Sequence, residues 1–257
     1  MPKVFVHGNP ETSALWRVLF DELRERGIDD LEPLSPPGFG APVPDGFRPT
    51  QVGYRDWLIA ELERLGGDVD LVGHDWGAIH VYGVLAERPD LLRSWAADCA
   101  GTVHRDYIWH DLAQAWQTPE VGEQAVAEMF GAPQEQRAQT WASMGMRQDI
   151  AEAIAAEQDG EVTGRCVLAL YRSAAQPAMA KLGERLRRTP RRPGLVLIPS
   201  EDPYTGTPEM CASVASDVGA HTVTLEGQGH WWMFDGSTVA ADALVTHWKA
   251  AQHAFSS

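Results

Sequence analysis

Six short, mostly unbroken apolar or β-branched runs recur along this 257-residue chain, separated by stretches with helical spacing. They are Lys3–Val6, Leu31–Leu34, Val69–Val72, Ser94–Asp98, Gly194–Pro199 and His221–Leu225. Continuous rather than alternating apolar runs are the pattern of strands covered on both faces. Between them, Ala14–Arg26 places Leu15, Val18, Leu19 and Leu23 at helical spacing, and Thr50–Leu65 does the same with Val52, Trp57, Leu58, Leu62 and Leu65. Ile79–Arg88 follows the third strand, and Val239–Ala251 closes the chain. This alternation predicts an α/β fold, a mostly parallel, doubly wound sheet with right-handed crossovers.

One stretch breaks the rhythm. From Gly101 to about Arg188 there is no strand pattern, only helices with clear punctuation. Thr118-Pro119-Glu120 reads as an N-cap with proline at the first helical position, and Gly131 lies past that helix's end. Pro133 opens another helix that Gly145 stops. The stretch is too long for a connection. It is expected to be a helical cap, residues 102–188, inserted into a core made of residues 1–101 and 189–257. Such a cap would cover the C-terminal edge of the sheet, where open α/β folds place their ligands. The arginines at 187, 188, 191 and 192 fit a solvated helix end that complements the macrodipole, with an anion site as the sharper alternative.

Composition narrows the class. Apolar residues are 44% and charged ones 22%, the proportions of a globular domain rather than a disordered or rod-like chain. Thirty-six acidic against twenty-one basic side chains give a net charge of -15, which repels phosphate backbones and anionic lipid. Nucleic acid and membrane are therefore not expected partners. No run approaches the roughly 20 apolar residues that span a bilayer. The start runs directly into a strand, so no signal peptide is expected. Cys99, Cys166 and Cys211 are far apart with no CxxC spacing, which suits a reducing cytosol and argues against a structural metal. A cytoplasmic enzyme without a cofactor, monomeric or homodimeric, is the expectation.

The most informative five residues are Gly73-His74-Asp75-Trp76-Gly77, between the third strand and a helix. This is a nucleophile elbow in the strand-turn-helix context that the motif requires. Its glycines permit the sharp turn, and its central residue is aspartate. A carboxylate with an ordinary pKa of about 3.9 needs no deprotonation at neutral pH. It is suited to attack on saturated carbon with formation of a covalent ester. The alternative is a buried turn aspartate that caps the helix.

A base is expected late in the chain, and Gly227-Gln228-Gly229-His230-Trp231 places His230 in a glycine-rich loop after the last strand. An orienting carboxylate is expected after an earlier strand. Asp202, before Pro203, is the first choice, with Glu201 its neighbour and competitor and Asp98 a second rival.

These residues resemble the α/β-hydrolases of the haloalkane dehalogenase and epoxide hydrolase branch. His7-Gly8-Asn9-Pro10 is similar to that branch's oxyanion-loop motif, Gly73–Gly77 to its aspartate elbow, and Gly229-His230-Trp231 to its histidine loop. The resemblance covers nearly the whole chain, in the order nucleophile, acid, histidine. Relatives usually carry two more strands ahead of the oxyanion loop. Some also take their acid from the position of Asp98. The density of tryptophans in the cap and after His230 favours a small apolar organic substrate over a sugar or nucleotide, and no cofactor or metal is expected.

Asn9 and Trp76 resemble the halide-holding pair of many haloalkane dehalogenases, donating a side-chain amide and an indole N–H; their backbone N–H groups could equally serve an oxyanion. Leu170-Tyr171-Arg172 resembles a segment that carries one of two ring-opening tyrosines in epoxide hydrolases. For the second, only Tyr107 is near, displaced, while His110-Asp111-Leu112 occupies the neighbourhood without a tyrosine. Trp109, Trp116, Trp141 and Trp231 are candidates for the wall of an apolar pocket. The leading expectation is a haloalkane dehalogenase-like hydrolase; the alternative is an epoxide hydrolase, and a non-catalytic binding relative stands third.

Overall fold

In a computed structural model that describes residues 1–254, six strands form one parallel sheet. They are β1 (Lys3–Val6), β2 (Leu31–Leu34), β3 (Val69–Gly73), β4 (Leu92–Ala97), β5 (Gly194–Pro199) and β6 (His221–Leu225). The spatial order β2-β1-β3-β4-β5-β6 reverses direction at β1, so β1, β3, β4 and β5 are interior. Their residues are buried throughout, which is why these segments read as continuous apolar runs, whereas edge strand β6 is largely exposed.

Helices α1 (Arg17–Glu25), α2 (Gln51–Arg64) and α3 (Trp76–Glu87) connect the first four strands. The α2 start follows from Thr50, whose hydroxyl accepts the Gly53 N–H at 3.1 Å. Between β4 and β5 no strand intervenes. Six helices fill the gap: α4 (Asp111–Gln117), α5 (Val121–Phe130), α6 (Gln134–Ser143), α7 (Gln148–Glu157), α8 (Gly160–Ser173) and α9 (Ala178–Leu186). The chain then continues through α10 (Pro208–Val218) and α11 (Ser237–Ala254). No helix among the described residues is long and apolar enough to cross a membrane.

Among the boundaries that differ from the sequence reading, those of three elements have clear local reasons. Helix α3 begins at Trp76 rather than Ile79, because the turn is completed within the single residue Asp75. Strand β4 starts two residues early and ends before Asp98, leaving that carboxylate beyond the strand. Helix α5 does not start at Pro119: the Thr118 hydroxyl donates to the Gln114 carbonyl at 2.8 Å and closes α4. Glu120, at φ 69°, caps α5 instead, with Glu123 completing the capping box.

Register fixes what meets at each end of the sheet. At the N-terminal end, Lys3 pairs with Asp70, and Asp70 with Ser94. Asp70 there accepts from Lys3 Nζ at 2.6 Å and from Ser94 Oγ at 2.5 Å, and Arg93 completes a buried ion cluster. At the other end, Val6 lies beside Gly73 and Gly73 beside Ala97. The residues that follow them, His7 and Gly8, His74 and Asp75, and Asp98, therefore emerge together.

Candidate active site

Asp75 occupies the turn between β3 and α3 at φ 51° and ψ -123°. A non-glycine residue holds this conformation only where its surroundings enforce it, at a cost of about 1–3 kcal/mol. Two glycines make it possible. A Cβ on Gly8 would collide with the Asp75 carboxylate, and one on Gly77 with the Val6 carbonyl. The turn lifts the carboxylate off the sheet and holds it at a helix N-terminus, which favours an anion.

The two carboxylate oxygens have different surroundings. Oδ1 accepts the Asn9 backbone N–H at 3.0 Å, and the Trp76 backbone N–H also bonds the carboxylate. Oδ2 faces His230 Nε2 at 3.7 Å, too far for a hydrogen bond. Burial pushes the Asp75 carboxyl well above the usual carboxylate range, and the nearby His230 works against that rise.

His230 and Asp202 form a bonded pair, Nδ1 to Oδ2 at 2.8 Å. Asp202 is itself fixed by the Tyr204 N–H on Oδ1 at 2.8 Å and the Thr205 hydroxyl on Oδ2 at 3.1 Å. Burial disfavours a charged His230 ring, but the Asp202 carboxylate outweighs it and holds the pKa up at about 9. The two rivals for this carboxylate are elsewhere. The Glu201 side chain is exposed, its backbone N–H tied to the Gln228 carbonyl. Asp98 is turned beneath the elbow: Oδ1 accepts the Asp75 N–H at 3.1 Å, and Oδ2 pairs with His74 Nδ1 at 2.5 Å and the Trp232 indole at 2.7 Å.

This last arrangement belongs to a layer that the sequence reading missed. Glu11, fully buried, accepts the Gly8 N–H at 2.9 Å and the Trp231 indole at 2.8 Å, and lies 3.3 Å from His74 Nε2. His74 thus stands between two carboxylates, Glu11 and Asp98. Burial alone would keep it neutral, yet the pair raises its pKa well above the ordinary value. Glu11 falls to about 2, because His74 outweighs its burial. Glu11, His74 and His230 approach one another closely enough to share a metal, but each already has protein hydrogen-bond partners. The only sequence signal was position: Glu11 directly follows Pro10, and His74 directly precedes Asp75.

Above Asp75 lies a narrow cavity with about 40 Å³ of free space, bounded by Asn9, His110, Trp141, Tyr171, Trp231 and His230. Leu112, Trp116, Met144 and Tyr204 complete its wall. The Asn9 side chain is buried, and neither its Nδ2 nor its Oδ1 has a hydrogen-bond partner. Tyr171 hydrogen-bonds the Trp76 side chain, and the two rings meet edge-on at 5.0 Å. The Trp76 side chain is therefore joined to Tyr171 and is not among the residues that bound the cavity. Trp109 is not a wall residue either; it stacks on Trp76 at 5.7 Å in the layer behind. Tyr107 is turned away, its hydroxyl donating to the Tyr204 carbonyl at 2.6 Å.

Residues 4–243 match the model of the alpha/beta hydrolase family. The chain is an α/β hydrolase. A loop variant of a haloalkane dehalogenase from Bradyrhizobium elkanii superposes on this hydrolase with a TM-score of 0.74 at 19% identity, covering 97% of this chain and 91% of that one. A thermophilic esterase from Thermogutta terrifontis superposes with a TM-score of 0.67 at 18% identity, covering 98% and 90%. An epoxide hydrolase from Caballeronia sordidicola is 34% identical over 95 residues, 35% of this chain. That match spans only 28% of the relative's length. Neighbours as different as an esterase and a dehalogenase share this fold, so the chemistry must be argued from the site.

Proposed function

We propose that this α/β hydrolase acts on a small apolar organic substrate by covalent catalysis from Asp75, as a haloalkane dehalogenase. Asp75 Oδ2 attacks the carbon bearing the halogen. The O–C bond forms as the C–X bond breaks, and the halide leaves with the bonding pair. His230, oriented by Asp202, then takes a proton from a water that attacks the ester carbonyl. The backbone N–H groups of Asn9 and Trp76 hold the ester's Oδ1 as it becomes an oxyanion. The bond from the carbonyl carbon to Oδ2 then breaks, the alkoxide leaves as alcohol with the proton from His230, and the restored carboxyl gives up the water's second proton to solvent. Residues 102–188 serve as the cap over this site, on a core of residues 1–101 and 189–257.

The observation that carries this reading is Asn9. Its backbone N–H holds one oxygen of Asp75, the residue lines the cavity at the same carboxylate, and its side-chain amide is buried without a protein partner. Buried polar groups are nearly always satisfied, so an orphaned donor at this place calls for a ligand. A desolvated halide needs such a donor. The small cavity and its aromatic wall suit a short, uncharged substrate.

A second reading, epoxide hydrolysis, is favoured by Tyr171. Tyr171 lines the cavity and hydrogen-bonds the Trp76 side chain, and its hydroxyl could give its proton to the oxygen of an opening ring. The deciding experiment is intact-protein mass spectrometry on His230→Phe, which lacks the base and should stall at the ester. Incubated with 1-bromobutane and with 1,2-epoxybutane, it should accumulate a butyl adduct on Asp75. A hydroxybutyl adduct alone would favour ring opening, and no adduct with either would overturn covalent catalysis.

A further inference from the structure

His74 is fully buried, directly precedes Asp75, and takes no part in the steps described so far. Its two ring nitrogens face carboxylates from different segments. Nδ1 pairs with Asp98 Oδ2 at 2.5 Å, and Nε2 lies 3.3 Å from Glu11 Oε1. The other partners of both carboxylates are donors. Asp98 accepts the Asp75 N–H, the Trp232 indole and the Cys99 thiol, while Glu11 accepts the Gly8 N–H and the Trp231 indole. A carboxylate that accepts several such bonds is held ionised, so the proton shared with Asp98 lies on Nδ1. A bare Nε2 would set its lone pair against the Glu11 anion, so Nε2 carries a proton too. With both nitrogens protonated the ring is a cation. No other cation shares this layer: burial pushes the neighbouring His7 down to about 4, where it is neutral, and keeps Cys99 a thiol. Trp16 and Trp232 stand edge-on to the ring at 6.3 and 6.2 Å. Glu11, His74 and Asp98 together thus amount to a single negative charge beneath the elbow.

We infer that His74 is a positioning residue, a fixed imidazolium beneath the elbow that favours the ionised form of Asp75 and the neutral form of His230. The inference rests on the covalent reading above, in which these are the attacking and the water-activating forms. His74 adjoins Asp75 in the chain, and its ring centroid is 4.7 Å from that of His230. A positive charge so placed stabilises a carboxylate and opposes a second imidazolium. At Asp75 burial raises the pKa and Glu11 adds to the rise, while His230 and His74 oppose it. At His230 burial disfavours the proton, Asp202 retains it, and His74 sides with burial. One buried cation therefore lowers the pH at which nucleophile and base both become competent.

Charge and shape can be separated by a ladder of near-isosteric substitutions. His74→Gln removes the cation, Glu11→Gln removes an anion from the same contact, and the double variant removes both and restores the parent's charge. Imidazole 15N NMR of histidine-labelled protein reads the protonation of His74 and His230 without substrate, His74 being the signal that the double variant loses. The pH dependence of kcat/KM for bromide release from 1-bromobutane reads Asp75. In the parent, His74 should keep both protons up to about pH 9. The midpoints of His230 and of kcat/KM should fall by about one pH unit in Glu11→Gln, rise by about as much in His74→Gln, and return to the parent's in the double variant. A singly protonated His74 at neutral pH overturns the inference. So do midpoints that stay in place in Glu11→Gln, or that move the same way in both single variants, as a loss of shape would make them. Glu11→Gln and the parent spectrum decide the matter if His74→Gln fails to fold. A parent that releases no bromide would overturn the covalent reading, while the NMR midpoints of His230 judge the charge of His74 independently.

Discussion

Asn9 and Asp75, 66 residues apart in sequence, are joined by one hydrogen bond of 3.0 Å from backbone N–H to carboxylate Oδ1. Adjacent parallel strands bring them together: Val6 on β1 is paired with Gly73 on β3, so the turns that follow share one edge of the sheet. The bond makes the two oxygens of Asp75 inequivalent. One is held, and the other faces His230.

If Asp75 is the nucleophile, as proposed, no neutral side chain can take its place. Asp75→Asn keeps the shape of the side chain but removes its charge and nucleophilicity. Turnover should fall by at least about 10⁴-fold, while circular dichroism and melting stay close to those of the parent. Retained turnover of 1-bromobutane would remove Asp75 from the mechanism.

The pH dependence follows from two groups shifted in the same direction. Asp75 must be ionised to attack, and burial raises its pKa, so kcat/KM should rise with pH through a region well above the usual carboxylate range. His230 must be neutral to take a proton from water, and Asp202 holds its pKa at about 9. Esterification removes the Asp75 charge that also favours protonated His230, so kcat should rise with pH at a value somewhat below 9. Asp202→Asn should lower kcat and move its rise toward acid. A profile that falls between pH 6 and 8, measured by halide release, would contradict both assignments.

Much of the fold and of the elbow's position in it was legible in the sequence, and the physical reason is locality. Strands buried on both faces leave continuous apolar runs, which is why β1, β3, β4 and β5 could be found to within a residue or two. The elbow was legible because its two glycines and its aspartate fall within five residues. The Glu11–His74–Asp98 layer was not, because its members belong to three segments that only strand order and register bring together. Trp109 and Trp76 are a related case: residue type reports that an aromatic is buried, while packing alone decides whether its ring reaches the cavity, and neither of these two stacked rings lines it.

If Asn9 binds halide, chloride or bromide should quench the fluorescence of the tryptophans around the cavity in a saturable way. Asn9→Ala should weaken apparent halide affinity by about tenfold, the worth of a hydrogen bond to a charged group. It leaves the backbone N–H in place, so Asp75 keeps that contact. Quenching that is linear in halide, or unchanged by the substitution, would detach Asn9 from the leaving group.

Tyr171 offers a way to tell the two chemistries apart. Tyr171→Phe removes the hydroxyl that bonds the Trp76 side chain but keeps the ring against Trp76 and Trp116. A proton is indispensable to an opening epoxide, whereas a halide loses only one of several donors. Hydrolysis of 1,2-epoxybutane should therefore fall by about 100-fold and that of 1-bromobutane by about tenfold or less. Equal losses on both substrates would contradict a special role for Tyr171 in ring opening.

Glu11 ties three loops at once, holding Gly8 of the oxyanion loop, His74 of the elbow and Trp231 of the histidine loop. Glu11→Gln keeps the size but turns an amide N–H toward one of these donors and leaves His74 with Asp98 alone. Breaking a buried charged contact in this way should destabilise the fold by about 3 kcal/mol at pH 7. The sign with pH is fixed. Glu11 titrates at about 2 in the folded chain against an ordinary 4.5, so its contribution is full above about 4.5 and fades as pH falls toward 2. The gap between parent and variant in urea unfolding should therefore be widest near neutrality and should narrow below pH 4. A gap that stayed constant down to pH 3 would mean that Glu11 acts through shape rather than charge, and no gap at pH 7 would remove it from the structural account of the site.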